Sequence, residues 1–399
     1  MKHVKYLILG AGPAGLSFAH ALQDAGENSF LLLERESVAG GLCRSVQVDG
    51  APLDTGGGHF LDVKAKDVLD FIFRFLPLSE WSEYERISRI LLNSTAIDYP
   101  LEANLWQLPL RLQIDYLESI ARAGCVQAQQ MPIDFREWIP WKLGTRIAED
   151  YMFPYNQKLW SSDLSRLGTY WLHKLPNVSL RETLSSCLNR KAEGAIPAHG
   201  MFLYPKKYGY GEVWQRMGAA LGERLLLDFT LDAIDIETLS VNGTFTADKI
   251  ITSIPWPELN KVAHLPANMV NAIDKLESVS IAVDYHSRNF ASNAHWIYEP
   301  DTAIPYHRVL CRNNFIPGSR GYWTESNFKR VSVDHPVRFI NKYAYPVPTI
   351  NKPRIVKDIS EWANSKHIIG IGRWGTWEHM NSDAVVASAR ASANGLVSL

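Results

Sequence analysis

Gly10, Gly12 and Gly15 stand at the spacing of a phosphate-binding turn, and the acid Glu34 follows 19 residues after Gly15. Before them runs the apolar stretch Tyr6-Leu7-Ile8-Leu9. After them Leu16, Ala19 and Leu22 recur at helical spacing, and the apolar Leu31-Leu32-Leu33 ends on Glu34. The pattern predicts strand, glycine turn, helix, strand, acid. Gly10 allows the tight turn, Gly12 lets the backbone approach a pyrophosphate, and Gly15 lets the helix pack on the strand. The helix start at Pro13 and Ala14 offers unpaired N–H groups to phosphate oxygens. At the end of the second strand, Glu34 can accept hydrogen bonds from a ribose. A dinucleotide site is the chemistry these residues suit.

Two further glycine clusters lie close behind. Glu34-Arg35-Glu36 runs into Gly40-Gly41-Leu42-Cys43-Arg44, a second turn directly after the acid. Gly56-Gly57-Gly58-His59 places three residues without side chains before a histidine, leaving room for a large planar ligand.

The elements that must position these groups are legible in outline. The chain has 399 residues, enough for a substantial core and two or more lobes. Between about 104 and 200, apolar residues such as Leu110, Ile114, Leu117 and Ala121 recur at three- and four-residue spacing, which predicts an inserted helical lobe. Residues 82–88 with Ile90-Leu91-Leu92 read as a strand, residues 226–233 with Asn242-Gly243 as a hairpin, and residues 248–255 as a strand returning to the nucleotide domain. The fold class expected is α/β: a Rossmann-like dinucleotide-binding domain (1–80, 205–265, 355–399), the helical lobe (104–200), and an antiparallel-sheet substrate domain (81–103, 266–354).

Composition narrows the class. A net charge of −1 argues against a nucleic-acid or acidic-membrane partner. Cys43, Cys125, Cys187 and Cys311 are scattered, with no CxxC or histidine pairing. That argues against zinc and a disulfide framework and for a reducing, cytoplasmic setting. No run of 18 apolar residues exists to span a membrane. Thirteen tryptophans and sixteen tyrosines make aromatic stacking surfaces for a ligand plausible.

The order of motifs resembles the UDP-galactopyranose mutase family, in its eukaryotic-type branch, within the amine oxidase-like FAD superfamily. The resemblance rests on Gly10 to Glu34, Gly40-Gly41, Gly57-Gly58-His59, Pro154-Tyr155-Asn156-Gln157-Lys158-Leu159-Trp160, Trp296-Ile297-Tyr298-Glu299-Pro300, Pro305-Tyr306-His307-Arg308, Tyr345-Pro346-Val347-Pro348-Thr349 and Gly372-Arg373-Trp374-Gly375-Thr376-Trp377. It implies FAD, active when reduced and held by Gly10, Gly12, Pro13, Ala14, Gly15, Glu34, Arg35, Gly40, Gly41, Leu42, Gly57, Gly58, His59, Gly372, Arg373 and Asn381. It implies a UDP- or dTDP-sugar against Tyr99, Tyr155, Asn156, Trp160, Tyr298, Arg308, Tyr345 and His379. Arg308, His59, Tyr298, Tyr345 and Lys174 would serve the chemistry. The activity implied is exchange of pyranose and furanose ring forms, with NAD(P)H as external reductant and a homodimer left open.

Two departures from the family pattern concern the diphosphate. No arginine occupies the second phosphate position near Trp171-Leu172-His173-Lys174, where Lys174 is the nearest cation. Glu378-His379 stands where the family has a tyrosine. The competing readings are an amine oxidase or protoporphyrinogen oxidase-like enzyme with net redox turnover, and a flavin-binding protein that has lost activity. For Arg308 the alternative role is an ion pair with an acid such as Glu299 or Asp301.

Overall fold

The computed structural model describes residues 1–172, 175–194 and 200–397. Its first sheet is built on Lys2–Leu9, flanked in parallel by Phe30–Leu33 and Phe245–Thr252, with Leu225–Leu226 beyond the former and Ile368–Gly370 paired to the latter. A parallel sheet is covered on both faces, so its strands are continuously apolar. Tyr6, Leu7, Ile8 and Leu9 are accordingly all buried. Leu9 is in register with both Leu33 and Thr252, so three strands end at one edge. Gly10, Glu34 and Ser253 follow there, at the carboxyl ends where an open α/β sheet binds its ligands. The helix Pro13–Asp24 covers one face and packs on the C-terminal helix Ser382–Val397.

The second large sheet runs in the order Arg338–Pro346, Ser278–His286, Tyr322–Asn327, Arg308–Leu310, Trp296–Tyr298, Ser88–Leu92, Thr95–Asp98. It is antiparallel except where Trp296–Tyr298 lies parallel to Ser88–Leu92. The helix Phe153–Trp160 packs on its strand Tyr322–Asn327, and Leu110–Ala121 packs on the helices Phe135–Ile147 and Leu180–Asn189. Asp134 caps Phe135–Ile147 by accepting from Glu137 N at 3.0 Å, and Ser179 with Glu182 forms a capping box on Leu180–Asn189.

Two sequence expectations need correction. Residues 82–92 form not one strand but two: Trp81–Glu85 pairs with Met201–Pro205, whereas Ser88–Leu92 joins the large sheet. The chain changes sheets at Arg86-Ile87, where Arg86 Nε donates to Ser88 Oγ at 2.9 Å. Residues 227–233 are not a hairpin arm. Asn242 and Gly243, both at positive φ, instead lie in the three-residue turn 242–244 that joins Ser240–Val241 to Phe245–Thr252. The Asn242 amide then holds the preceding loop, donating to Thr230 O at 2.8 Å and accepting from Asp232 N at 2.9 Å. In Leu110–Ala121 the buried face carries Tyr116 and Ile120, while Leu110 is 71% and Ile114 48% exposed. Helical spacing is the same for every face, so period alone did not say which one turns inward.

Among the described residues no helix is long and apolar enough to cross a membrane, and no group of His, Cys, Asp and Glu could hold a metal ion. The four cysteines are free thiols.

Candidate active site

The glycine turns meet one another. Gly10 has φ +95°, and a Cβ on Gly15 would lie 2.0 Å from Gly10 O, so helix and turn touch backbone to backbone. Gly40 and Gly41 also have positive φ, and a Cβ on Gly41 would come within 3.1 Å of Gly12 Cα. Gly12 itself faces open space, with Gly41 Cα at 3.8 Å the nearest atom to a Cβ added there. Gly40 N donates to Ala11 O at 2.8 Å, locking the second turn to the first. Glu34 is buried beneath both, accepting from Ala11 N at 2.7 Å and Glu36 N at 3.0 Å. A carboxylate has about four lone-pair positions, so capacity for a ribose hydroxyl remains. Arg35 is exposed and pairs with Glu36 at 3.3 Å.

The third cluster, Gly56-Gly57-Gly58-His59, is pressed against the second sheet. A Cβ on Gly57 would strike Glu325 Oε1 at 2.7 Å and one on Gly58 would meet Leu310 Cδ2 at 2.0 Å. Gly58 N donates to Glu325 Oε1 at 2.9 Å. His59 Nδ1 lies 3.0 Å from Gly57 O. A carbonyl can only accept, so Nδ1 carries the proton and Nε2 is an acceptor. Burial, with the Arg373 and Arg308 charges, lowers the His59 pKa to about 3 and keeps the ring neutral.

The chain's last turn closes the same space. Gly372, at φ +64°, passes so near Ala14 that a Cβ would sit 2.4 Å from the Ala14 Cβ. Arg373 donates to Ala344 O at 2.7 Å and Met380 O at 2.6 Å, and lies 5.7 Å from the Tyr345 ring centroid. Asn381 and Ser382 begin the C-terminal helix and line the cavity beside His59, so that helix presents its unpaired amides there. The open face of Gly12, the paired turns, the buried acid and this helix start form an elongated polar cradle that fits a flavin dinucleotide. Leu42, Gly58, His59, Arg373 and Asn381 would hold its ring end, and Gly12, Pro13, Ala14 and Glu34 its phosphates and ribose.

From this cradle a cavity of about 750 Å³ extends between the second sheet and the helical lobe. Arg308 enters it from the Arg308–Leu310 strand. Its Nε and Nη2 both donate to Glu325 Oε2, the former at 3.0 Å, and Nη2 also donates to Tyr345 O–H at 3.2 Å. The acid facing Arg308 is therefore Glu325, neither Glu299 nor Asp301. The backbone carbonyls of those two accept from the buried Lys158 Nζ, each at 2.7 Å. Tyr298 O–H accepts from Arg86 Nη2 and Trp296 Nε1, both at 3.0 Å. The Tyr298 ring tilts on Tyr99 at 5.1 Å and meets Tyr155 edge-on at 5.6 Å. Tyr345 meets His379 at 5.2 Å. These groups converge on one cavity wall. Asn156 is turned inward, donating to Met152 O at 2.8 Å and accepting from Trp160 Nε1 at 3.2 Å. Both ends of its amide thus brace the helix and Trp160. Lys174 lies outside the described residues.

Sequence reasoning passed over Arg86, Glu102, Tyr151, His307 and Glu325. Arg86 sits between two rings, 4.7 Å from Tyr99 and 4.5 Å from Trp296. Its signal was the polar break at Arg86-Ile87 in an otherwise strand-like run. Glu325 stands amid the buried Trp323-Thr324-Glu325-Ser326-Asn327, and an acid in a buried strand needs a cationic partner. Among the described lining residues, Lys64, Arg86, Arg308 and Arg373 face a single acid, Glu102. Even with Glu325 behind Arg308, the wall favours an anion.

Fold and cradle define a protein with a Rossmann-like dinucleotide-binding fold. Residues 8–75 match the family model of the NAD(P)-binding Rossmann-like domain. Putrescine oxidase shares the fold, with TM-score 0.67 and 14% identity, covering 100% of this chain and 99% of that one. The chain is similar to UDP-galactopyranose mutase along nearly its whole length. It is 23% identical to the mutase of Mycoplasma pneumoniae over 420 residues, covering 98% of this chain and 96% of the relative. It superposes on a reduced UDP-galactopyranose mutase with TM-score 0.88 and 22% identity, covering 99% of this chain and 94% of that one.

Proposed function

We propose that the chain is an FAD-dependent mutase that interconverts pyranose and furanose forms of a nucleotide sugar. The observation that carries this is Arg308, held by Glu325 and Tyr345 in a tyrosine-lined, cationic cavity that opens onto the Gly58-His59 loop. When bound, reduced flavin supplies the nucleophile for the anomeric carbon. The chain's own groups bind and orient. Arg308 carries a planar, permanent charge suited to a diphosphate leaving group, and Glu325 fixes the direction of that charge before substrate arrives. The hydroxyls of Tyr155, Tyr298 and Tyr345 add neutral donors around the same point, and burial pushes the Tyr155 and Tyr345 pKa values up, so they stay protonated. His59, neutral and with Nε2 free to accept, can take a hydrogen bond beside the ring without adding charge. The helical lobe, with Trp160 and Tyr155, walls the base end from water. NAD(P)H would serve only to keep the flavin reduced.

The test is to reduce the flavin-loaded protein with dithionite and incubate it with a panel of nucleotide sugars. Chromatography should show an isomeric product with no net consumption of reductant. Steady substrate-dependent peroxide release without an isomer would favour the net oxidase instead, a reading supported by the fold shared with putrescine oxidase.

A further inference from the structure

Strand register sets Tyr298 beside Arg308. The two are paired residues of adjacent antiparallel strands, so their side chains leave the sheet on one face. Such a pair has Cβ atoms about 5 Å apart. Both residues line the cavity, as do Arg86, Tyr99 and Trp296. An anion held by Arg308 therefore comes within reach of the Tyr298 hydroxyl.

The neighbours of that hydroxyl decide which way its next hydrogen bond runs. Arg86 Nη2 and Trp296 Nε1 each donate to the Tyr298 oxygen at 3.0 Å. A hydroxyl oxygen has two lone pairs, and both are taken. What remains is the proton, and no group among the described residues accepts it. Tyr345 differs: its oxygen takes one donor, Arg308 Nη2 at 3.2 Å, and keeps a lone pair with which to accept. Arg86 is itself held in place. Its Nε donates to Ser88 Oγ at 2.9 Å, and its guanidinium lies 4.7 Å from the Tyr99 ring centroid and 4.5 Å from that of Trp296. Two ring faces and a bond at Nε orient the planar fork, which aims Nη2 at the phenol.

We propose that Arg86 is a positioning residue that makes Tyr298 an obligatory hydrogen-bond donor to the oxygens of the anion bound at Arg308. A phosphate oxygen, charged and without a proton, suits that donor. A sugar hydroxyl offering its own proton finds no lone pair there. The two bonds into the oxygen also polarise the O–H and strengthen what it donates. This rests on the nucleotide-sugar reading and adds the direction of the hydrogen bond at Tyr298 and the residue that imposes it.

The experiment is a double-mutant cycle on nucleotide binding, read by calorimetry at equal flavin occupancy. UDP and dTDP are titrated into wild type, and the tighter of the two into Arg86→Met, Tyr298→Phe and the double variant. Tyr298→Phe should weaken binding by about tenfold or more, the worth of one hydrogen bond to a charged group. Arg86→Met should weaken it at least about threefold when the hydroxyl is present and less than about 1.5-fold when it is absent. Equal losses in the two backgrounds would mean that Arg86 grips the ligand directly or only supports the fold, and would overturn the inference while leaving the mutase reading standing. Trp296→Phe withdraws the other donor and, taken through the same cycle, should show the same dependence on the hydroxyl. It decides the matter if Arg86→Met does not fold. Wild type that binds neither UDP nor dTDP overturns the inference and the nucleotide-sugar reading together.

Discussion

Glu325 joins Arg308 to the Gly56-Gly57-Gly58-His59 turn. One carboxylate oxygen accepts from Arg308 and the other from Gly58 N at 2.9 Å, although Gly58 and Glu325 are 267 residues apart. With Glu325 1% exposed in its side chain, neither partner can move without stranding a buried charge.

Arg308→Ala should therefore act twice. It removes a charged hydrogen bond worth roughly 1.5–3 kcal/mol to a diphosphate, which weakens UDP or dTDP binding by about tenfold or more. It also leaves Glu325 buried without its cation, at a cost of about 3–5 kcal/mol in stability. Arg308→Lys should recover part of each, since an ammonium lacks the fork. Calorimetry at equal flavin occupancy, with urea unfolding alongside, checks both. Unchanged dissociation constants would remove Arg308 from the ligand site.

Gly12 and Gly15 should fail differently. Gly12 has an ordinary backbone conformation (φ −77°) and room for a side chain in the free protein, so Gly12→Val should fold but bind no flavin. Gly15→Ala would put a Cβ 2.0 Å from the Gly10 carbonyl and should not fold to a stable protein. Circular dichroism and flavin absorbance separate the outcomes. A yellow Gly12→Val protein would mean that the phosphates run elsewhere.

Acid should destabilise the chain well above the carboxylate range. His295 Nδ1 accepts from Ile87 N at 3.0 Å, and burial, with Arg86 nearby, lowers its pKa to about 4. His59 is lowered to about 3. Both rings protonate first in the unfolded chain, near the ordinary 6.5. Their contribution is complete above that value and falls by about 1.4 kcal/mol per pH unit each as pH drops toward 4. Asp54 opposes them: burial raises it from 3.8 to about 7, so its contribution is present at low pH and is lost as pH rises between those values. His20, His286 and His307 are lowered by burial too, and Glu102 and Glu299 raised by it, so these five rings against three carboxyls leave a net loss on acidification. Urea midpoints at pH 6.5, 5.5 and 4.5 should fall in that order, and a flat or rising series would contradict the buried neutral histidines.

Lys158→Ala should unfold more readily although Lys158 bears no direct relation to the flavin cradle. Its ammonium satisfies two backbone carbonyls, Glu299 O and Asp301 O, at the tip of the sheet that carries Tyr298. Asp301 O keeps Ile304 N as a donor at 3.2 Å, but leaving Glu299 O without one costs about 1–3 kcal/mol. Chemical unfolding checks this, and a change under about 0.5 kcal/mol would show that water replaces the amine.

What the sequence settled by itself is the part of the protein made from contiguous chain. The strand, the turn at Gly10, the helix from Pro13 and the acid at Glu34 are bound within some thirty residues, where glycine backbone freedom and local spacing determine geometry. The helical character of 104–200 was legible for the same reason, but not which face of Leu110–Ala121 turns inward, because one helical period serves every face equally. Only tertiary structure decided that Arg308 answers to Glu325 and that Arg86 slides between Tyr99 and Trp296. Those relations depend on strand order and register in a sheet assembled from distant segments. There a side chain's partner is set by which strand pairs next to its own, and nothing in its immediate neighbours along the chain encodes that.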